Sequence, residues 1–238
     1  MADPSPGPVV RALIRGADKA SLATRHRSRK GAGTGPRDGW PYGSLVLCAT
    51  TIEGDPLLLL SDLAEHVKNI RQDDRASLLF DGTGRRADPL SGARASVLGR
   101  LRPVKGRARA PLMARFLARH QSAELYAGFA DFNLYRMRIE AAHLVAGFGK
   151  IHWVSKAQMR LQGIDLGAWR AGEGRLVTRL NGPQSPLVAH ALGGRPAKVC
   201  SVDPEGLDAT IGRRQKRIVF DRPVPSPRGV AAALKRAS

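Results

Sequence analysis

The residues best equipped for chemistry lie in LLLLSDLAEHVKNIRQDDRA, residues 57–76. An apolar run ends at Ser61, and the polar-apolar pattern that follows predicts a helix over Leu63–Arg71 with Asp62 as its N-cap. Ser61, His66, Lys68 and Asn69 then sit at a strand end and on the next helical turns. A hydroxyl, an imidazole and an ammonium beside a helix N-terminus suit an anionic phosphate. Spacing alone also fits an ordinary solvated helix face, and the phosphate reading needs outside support.

Other chemistries lack their signatures. There is no P-loop, no G-x-S-x-G elbow, no H-E-x-x-H and no C-x-x-C. The six histidines, His26, His66, His120, His143, His152 and His190, include no i,i+4 pair, so no metal site is expected. Cys48 lies mid-strand in an apolar setting and reads as a small buried hydrophobe. With Cys200 it makes neither a disulfide framework nor a thiolate cluster. The catalytic residues are therefore left unassigned.

The elements that must hold the 57–76 stretch read mainly as sheet. YGSLVLCATT (Tyr42–Thr51) and PLLLLSD form two strands around the turn Glu53–Pro56, and RASLLFD (Arg75–Asp81) is a third. Ala95, Val97, Gly99 and Leu101 alternate with Arg94, Ser96, Arg100 and Arg102. Tyr135, Met137 and Ile139 alternate likewise with Arg136, Arg138 and Glu140. Such period-two segments are half-buried antiparallel strands. His143–Val154 supplies the last barrel-like strands, and a helix over Ala110–His120 interrupts the series. An amphipathic helix is expected from Val9 to Ala20. The basic, Gly-rich segment Arg25–Pro41 reads as a mobile hairpin insertion, since its glycines do not lie between a strand and a helix. The total is six or seven antiparallel strands with helices, sized for a small closed barrel over residues 9–160. Residues 170–238 read as a compact α+β domain. It has a helix over Pro186–Leu192, extended Ala197–Val202, a turn at Asp203, a strand over Arg217–Phe220 and a closing helix over Gly229–Arg236.

Thirty-nine basic and 20 acidic residues give a formal charge of +19. Residues 1–40 hold eight basic and three acidic groups, and residues 41–104 hold eight and eight. Residues 105–163 hold ten and three, and residues 164–238 thirteen and six. The excess is spread over both ends, and no helix-turn-helix, zinc finger or aromatic-interleaved strand accompanies it, so nucleic-acid binding is not expected. No apolar run approaches the roughly 18 residues of a membrane span, and the N-terminus does not read as a secretory signal. The expected compartment is the cytoplasm.

PYGSLVLCAT, GDPLLLLSDLAEHVKNI, RASLLF, VLGRL, LYAGFADFNLYRMRIEAAHLVAGFGKIHW and VDPEGLDATI together resemble the pyridoxamine 5'-phosphate oxidase-related, FMN-binding split-barrel family, in its haem-utilisation (HugZ-like) branch. The S-x-L-A-x-H-x-x-N and GFG-x-x-x-W elements carry most of the likeness. The resemblance implies an FMN-binding split β-barrel of six to seven antiparallel strands, followed by the small C-terminal α+β domain often fused to it. It also implies a homodimer with two flavin-type sites at the subunit interface.

On that resemblance Ser44 lies in the strand whose side chains approach the cofactor, and Ser61 matches the strand-end hydroxyl. His66 and Asn69 match the helix positions, Lys68 stands where a base would meet phosphate, and Arg136 falls where haem-degrading relatives place a basic group. The sequence departs from the family at Val67, where many relatives carry a hydroxyl. It departs again at RLNGPQ (Arg179–Gln184), which keeps only Asn181 of a His-Met-Asn-x-Asp-His type segment. No histidine follows His190, whereas haem-degrading relatives use a C-terminal histidine as axial ligand. The implied function is a flavin-binding protein and oxidoreductase of unknown substrate. The alternatives are a haem-binding or tetrapyrrole-enzyme regulatory protein, or a site that binds nothing. A barrel of this size cannot enclose a flavin, so the cofactor is expected outside, in a cleft that a second chain completes. Tyr126, Phe129, Phe132, Tyr135, Phe148 and Trp153 are the aromatic residues expected at that two-fold interface.

Overall fold

The structure, a computed structural model, describes residues 5–26, 35, 37–84, 87–212 and 214–237. They divide into two compact units, residues 1–160 and 161–238.

The first unit opens with α1 (Pro6–Gly16), a proline-started amphipathic helix whose Val10 and Ile14 are buried. It ends four residues before the expected boundary: Ala17 is already extended and Ala20 belongs to the first strand. The short apolar spacing fits a helix, but strand pairing of residues 19–25 takes precedence. The strands are β1 (Lys19–Arg25), β2 (Pro41–Leu47), β3 (Ala49–Thr50), β4 (Pro56–Ser61), β5 (Arg75–Asp81), β6 (Arg94–Pro103), β7 (Phe132–Val145) and β8 (Ile151–Ser155). They form one antiparallel sheet in the order β2-β1-β5-β6-β7-β4-β3, with β8 on β7. β2 lies against β4, so the sheet curls back on itself as a barrel. The strand missing from the expected set is β1, and the expected strand Tyr42–Thr51 is divided into β2 and the two-residue β3. β1 and β2 pair antiparallel on either side of the expected insertion, in register from Lys19↔Leu47 to Arg25↔Pro41. Most of the expected insertion, residues 27–34 and 36, lies outside the described residues.

The alternation seen in the sequence sets the core. Ala95, Val97 and Leu101 on β6 and Tyr135, Met137 and Ile139 on β7 all point inward. α1 packs across this interior against β5, β6, β7 and β8. β4 is buried on both faces. Leu58 and Leu60 join the barrel core, while Leu57 and Leu59 lie under α3 (Arg109–Arg119), beside Met113 and Phe116. Two-sided burial is the reason β4 is continuously apolar instead of alternating. Between β6 and β7 the register shifts at Gly99, where a Cβ would come 2.4 Å from the Arg138 carbonyl oxygen. The bulge therefore requires glycine. Buried arginines clamp the outer connections. Arg15 donates to the Ile52 carbonyl (2.8 Å), Arg115 to Thr50 (2.6 Å) and Arg119 to Ala17 (3.0 Å).

α2 spans Glu65–Gln72, and this corrects the expected cap. Ala64 is the N-cap residue and no side chain caps the helix. Asp62 sits in the preceding turn, where Arg71 (2.6 Å) and Asn133 (3.1 Å) take its two carboxylate oxygens. A carboxylate offered two charged or amide partners is not free to turn towards backbone N–H groups.

The second unit carries α4 (Leu166–Asn181), α5 (Ser185–Ala191), a three-stranded antiparallel sheet β9 (Lys198–Asp203), β10 (Gly206–Ile211) and β11 (Arg214–Val219), and α6 (Val230–Arg236). β10 was not anticipated as a separate strand. α4 packs on β9, and Trp169 is fully buried with its indole N–H on the Val224 carbonyl at 3.1 Å. Asp165 caps α4 by accepting from the Ala168 N–H at 2.9 Å. Asn181 splices the far end of α4 to β9, donating to the Val199 carbonyl (2.9 Å) and accepting from its N–H (2.7 Å).

Candidate functional site

α2 lies against β1, and this brings part of the anticipated constellation together. Asn69 is buried and its amide donates to the Thr24 hydroxyl at 3.1 Å. The His26 Nε2 stands 3.2 Å from a Glu65 carboxylate oxygen. Ser44, on the inward face of β2 opposite Leu22, keeps a buried hydroxyl with no hydrogen-bond partner. The His66 Nε2 and the His26 Nδ1 are buried and unpartnered in the same way. Burial holds His66 below the usual imidazole range, so its ring is neutral at pH 7.

The other anticipated residues are engaged elsewhere. The Ser61 hydroxyl donates to Asp131 at 2.5 Å and accepts from the Leu63 N–H at 3.1 Å. Lys68 is exposed and paired with Glu65 at 3.2 Å. Arg136 is paired with Asp55 at 2.6 Å, with Glu53 at 3.8 Å. Arg136 stands opposite Leu57 and Phe132 opposite Ser61, which separates Arg136 from the Ser61 end by roughly 13 Å along the strands. A carboxylate thus lies against each of these three groups. Sequence reasoning missed Asp131, which binds Ser61, and Arg71 and Asn133, which bind the adjacent Asp62. Asp131 and Asn133 lie some 70 residues along the chain, and no local pattern announces them.

A second feature is visible only through the register. On the outer face of the sheet Leu45, Ser21, Leu79, Ser96, His143 and Trp153 form one continuous row across six strands, β2-β1-β5-β6-β7-β8. The adjacent row is Gly43, Ala23, Ser77, Leu98, Ala141 and Ser155. Neither row holds a charged residue, yet Leu45 is 70% and Trp153 67% exposed. The Trp153 ring sits 4.9 Å from that of His143. Charges resume on the flanking rows at Lys19, Asp81 and Arg94 on one side and Arg25, Arg75 and Arg100 on the other. Where the second row meets the charged edge, a cleft of about 450 Å³ opens, lined by Ala23, Arg25, Pro41, Leu98, Arg75 and Glu140 among others. Arg75 is bound by Asp73 at 2.6 Å. Arg25 makes no ion pair among the described residues.

The expected aromatic interface is corrected in part. Tyr135 is buried in the barrel core, and the rings of Tyr126 and Phe132 pack 4.7 Å apart beneath α3. β7 is covered on both faces over this stretch, so those rings fill the chain's own core. Phe129, Phe148 and Trp153 are exposed.

The CREG β-barrel family profile matches residues 7–159, which is the whole of the first unit's sheet and its leading helix. The chain belongs to the CREG β-barrel family. Its first unit has the antiparallel split-barrel fold expected from the sequence. Solved structures show the same fold over the full length. A protein of unknown function from Agrobacterium tumefaciens is 26% identical, covers 99% of this chain and 96% of its own, and superposes with a TM-score of 0.76. A haem-binding protein from Mycobacterium smegmatis is 24% identical, with 100% and 97% covered and a TM-score of 0.60. A chloroplastic non-canonical haem oxygenase of Arabidopsis thaliana is 30% identical over 110 residues, 46% of this chain and 33% of that protein. The matched region is thus about a third of that relative's length. Among the described residues of this CREG-type chain, no helix is long and apolar enough to cross a membrane.

Proposed function

We propose that this CREG-type barrel binds a planar, conjugated ligand carrying anionic groups, haem in the first place, in the cleft on its outer sheet face, and that a second copy of the chain completes the site. The observation that carries this reading is the pair of charge-free rows bordering a cleft that holds Arg25. Apolar residues suit the flat macrocycle, and a cation without an acidic partner suits its carboxylates. The two rows span about 29 by 14 Å, roughly 400 Å². With Pro41, Leu47 and Ile151 continuing the same face, the surface reaches about 500 Å², over half of the roughly 800 Å² per partner of a standard interface. Because adjacent antiparallel rows repeat small and large residues, the face can meet its own copy about a two-fold axis. The haem-oxygenase name of the Arabidopsis relative points the same way.

FMN is the second reading. It is favoured by Ser44 and His66, whose buried polar atoms await a partner. Against it, Ser61, Lys68 and Arg136 each already face a carboxylate, the wrong sign for a phosphate. If FMN is bound, Ser44 and His66 are the residues that would hold it, and the flavin would supply the redox chemistry.

The full chain is titrated separately with haem and with FMN, followed by absorbance, while light scattering reports its size. We expect a saturable Soret band, a particle of twice 25.6 kDa, and loss of both in Leu45→Glu/Trp153→Glu. Saturation by FMN alone selects the second reading. A monomer that binds neither ligand refutes both.

A further inference from the structure

We propose that the C-terminal unit carries an anion site of its own, for a small phosphate-bearing molecule, in the cleft between α4 and the turn at residues 226–228. This cleft is about 480 Å³ and lies wholly within residues 165–228. Gly172 builds it. A Cβ there would come 3.0 Å from the Pro227 ring, so Pro227 seats directly on α4 and sets Arg228 at the cleft wall. Arg175 and Arg179 project into the same cleft from the next two turns of α4.

Three guanidinium groups thus converge on one small space. Arg175 and Arg179 stand at i and i+4, a spacing at which like charges destabilise a helix. Among the described residues none of the three has a carboxylate partner. Asp165 is the one carboxylate on the cleft lining. Asp165 caps the Ala168 N–H at the opposite end of the cleft, about 15 Å along the helix from Arg175. Glu173 is turned to β9, accepting from the Val202 N–H at 3.3 Å. An anion entering the cleft would meet three cations, none of them ion-paired among the described residues, against the single carboxylate of Asp165.

The chemistry of the walls narrows the ligand. Guanidinium forks match the oxygen pairs of phosphate. Ala168, Ala171, Leu176 and Pro227 supply an apolar floor for an organic body. The volume falls in the range of small-molecule sites, about 300–1,000 Å³, and is too small for a folded partner or a duplex. This inference does not depend on the barrel's ligand.

The test uses the full chain, titrated calorimetrically with pyrophosphate, inorganic phosphate and adenosine diphosphate at about 0.1 M salt. The paired variants are Arg175→Gln/Arg179→Gln and, as a charge-matched control outside the cleft, Arg195→Gln/Arg222→Gln. Circular dichroism and Trp169 fluorescence verify folding of each. We expect one saturable site for pyrophosphate and adenosine diphosphate, weakened more than ten-fold in the first pair and less than two-fold in the control. Tighter binding of adenosine diphosphate than of pyrophosphate identifies an organic phosphate as ligand, and equal binding identifies the phosphate group alone. Equal weakening by both pairs would show diffuse surface charge and overturn the proposal. So would no saturable binding, or preferential binding of a single-stranded oligonucleotide that the control pair also weakens.

Discussion

Replacing Arg217 by methionine tests how the second unit holds buried charge. The Arg217 guanidinium lies 2.9 Å from Asp203 and 3.3 Å from Asp208, whose side chains are 0% and 5% exposed. Ser201 donates to the other Asp208 oxygen at 2.9 Å, and the Glu205 N–H donates to Asp203 at 2.9 Å. Burial opposes charge on Arg217, but the two carboxylates outweigh it and hold the guanidinium charged beyond its ordinary range. Methionine keeps most of the volume and removes the cation, leaving two carboxylates uncompensated. Breaking a buried pair in this way costs about 3–5 kcal/mol. For a unit of this size that lowers the melting midpoint by at least about 12 °C. The sign of the pH dependence follows. Without the cation the folded-state pKa of the carboxyls rises above the unfolded value of about 3.9. Their contribution is then fully present below that value and is lost as pH rises through the raised one. The gap between wild type and variant therefore widens from pH 4 to pH 7. Urea unfolding followed by Trp169, the fully buried tryptophan of this unit, measures it. A gap below about 1 kcal/mol at pH 7, or one independent of pH, would refute the reasoning.

Burial lowers the pKa of both His66 and His120, the latter despite its Nε2–H bond to the Cys48 carbonyl at 2.9 Å. The unfolded chain therefore takes up protons first, and stability should fall as pH drops below about 6.5; His66→Asn should flatten part of that slope in denaturant midpoints at pH 7 and 5.5. Asn181→Ala removes both bonds to Val199 and should cost the second unit about 1–3 kcal/mol, read by the same Trp169 signal. Gly99→Ala places a methyl against the Arg138 carbonyl and should destabilise the barrel by about 1–3 kcal/mol, seen as a lower denaturant midpoint. Burial pushes the Cys48 thiol up to about 12, and Cys200 is also buried. Ellman's reagent should therefore label the native protein slowly and both thiols promptly in guanidinium chloride.

What the sequence reveals here depends on how far apart interacting residues lie. β5 and β6 could be placed because alternation is a local signal, and α3 falls within a residue of its expected span for the same reason. The apolar run of β4 was legible as a strand, but its second covering layer, α3, was not. The fate of Asp62 could not be read, because Asn133 lies 71 residues away and arrives only through the β4–β7 pairing. Ser61 was correctly seen at a strand end and Arg136 as an alternating polar position within a strand. Their carboxylate partners, 70 and 81 residues distant, decide their roles, and spacing carries no information about them. The outer apolar rows follow the same rule. Each contributing residue obeys a local alternation, and only the register assembles six of them into a surface.

The position of β4 between β3 and β7 has a consequence for the chain as it leaves the ribosome. β4 is made early, but its long partner is not; Leu57 must wait for Arg136, which is 136 − 57 = 79 residues later. At about 5–20 residues per second of synthesis, that wait lasts roughly 4–16 s. Throughout it the run Leu57–Leu60 has only the two-residue β3 to pair with, and α3, which covers its other face, is complete only at Arg119, 119 − 57 = 62 residues after Leu57. Nascent chains of this protein therefore expose an apolar strand edge for seconds, and this is the segment that a holdase chaperone would engage during synthesis.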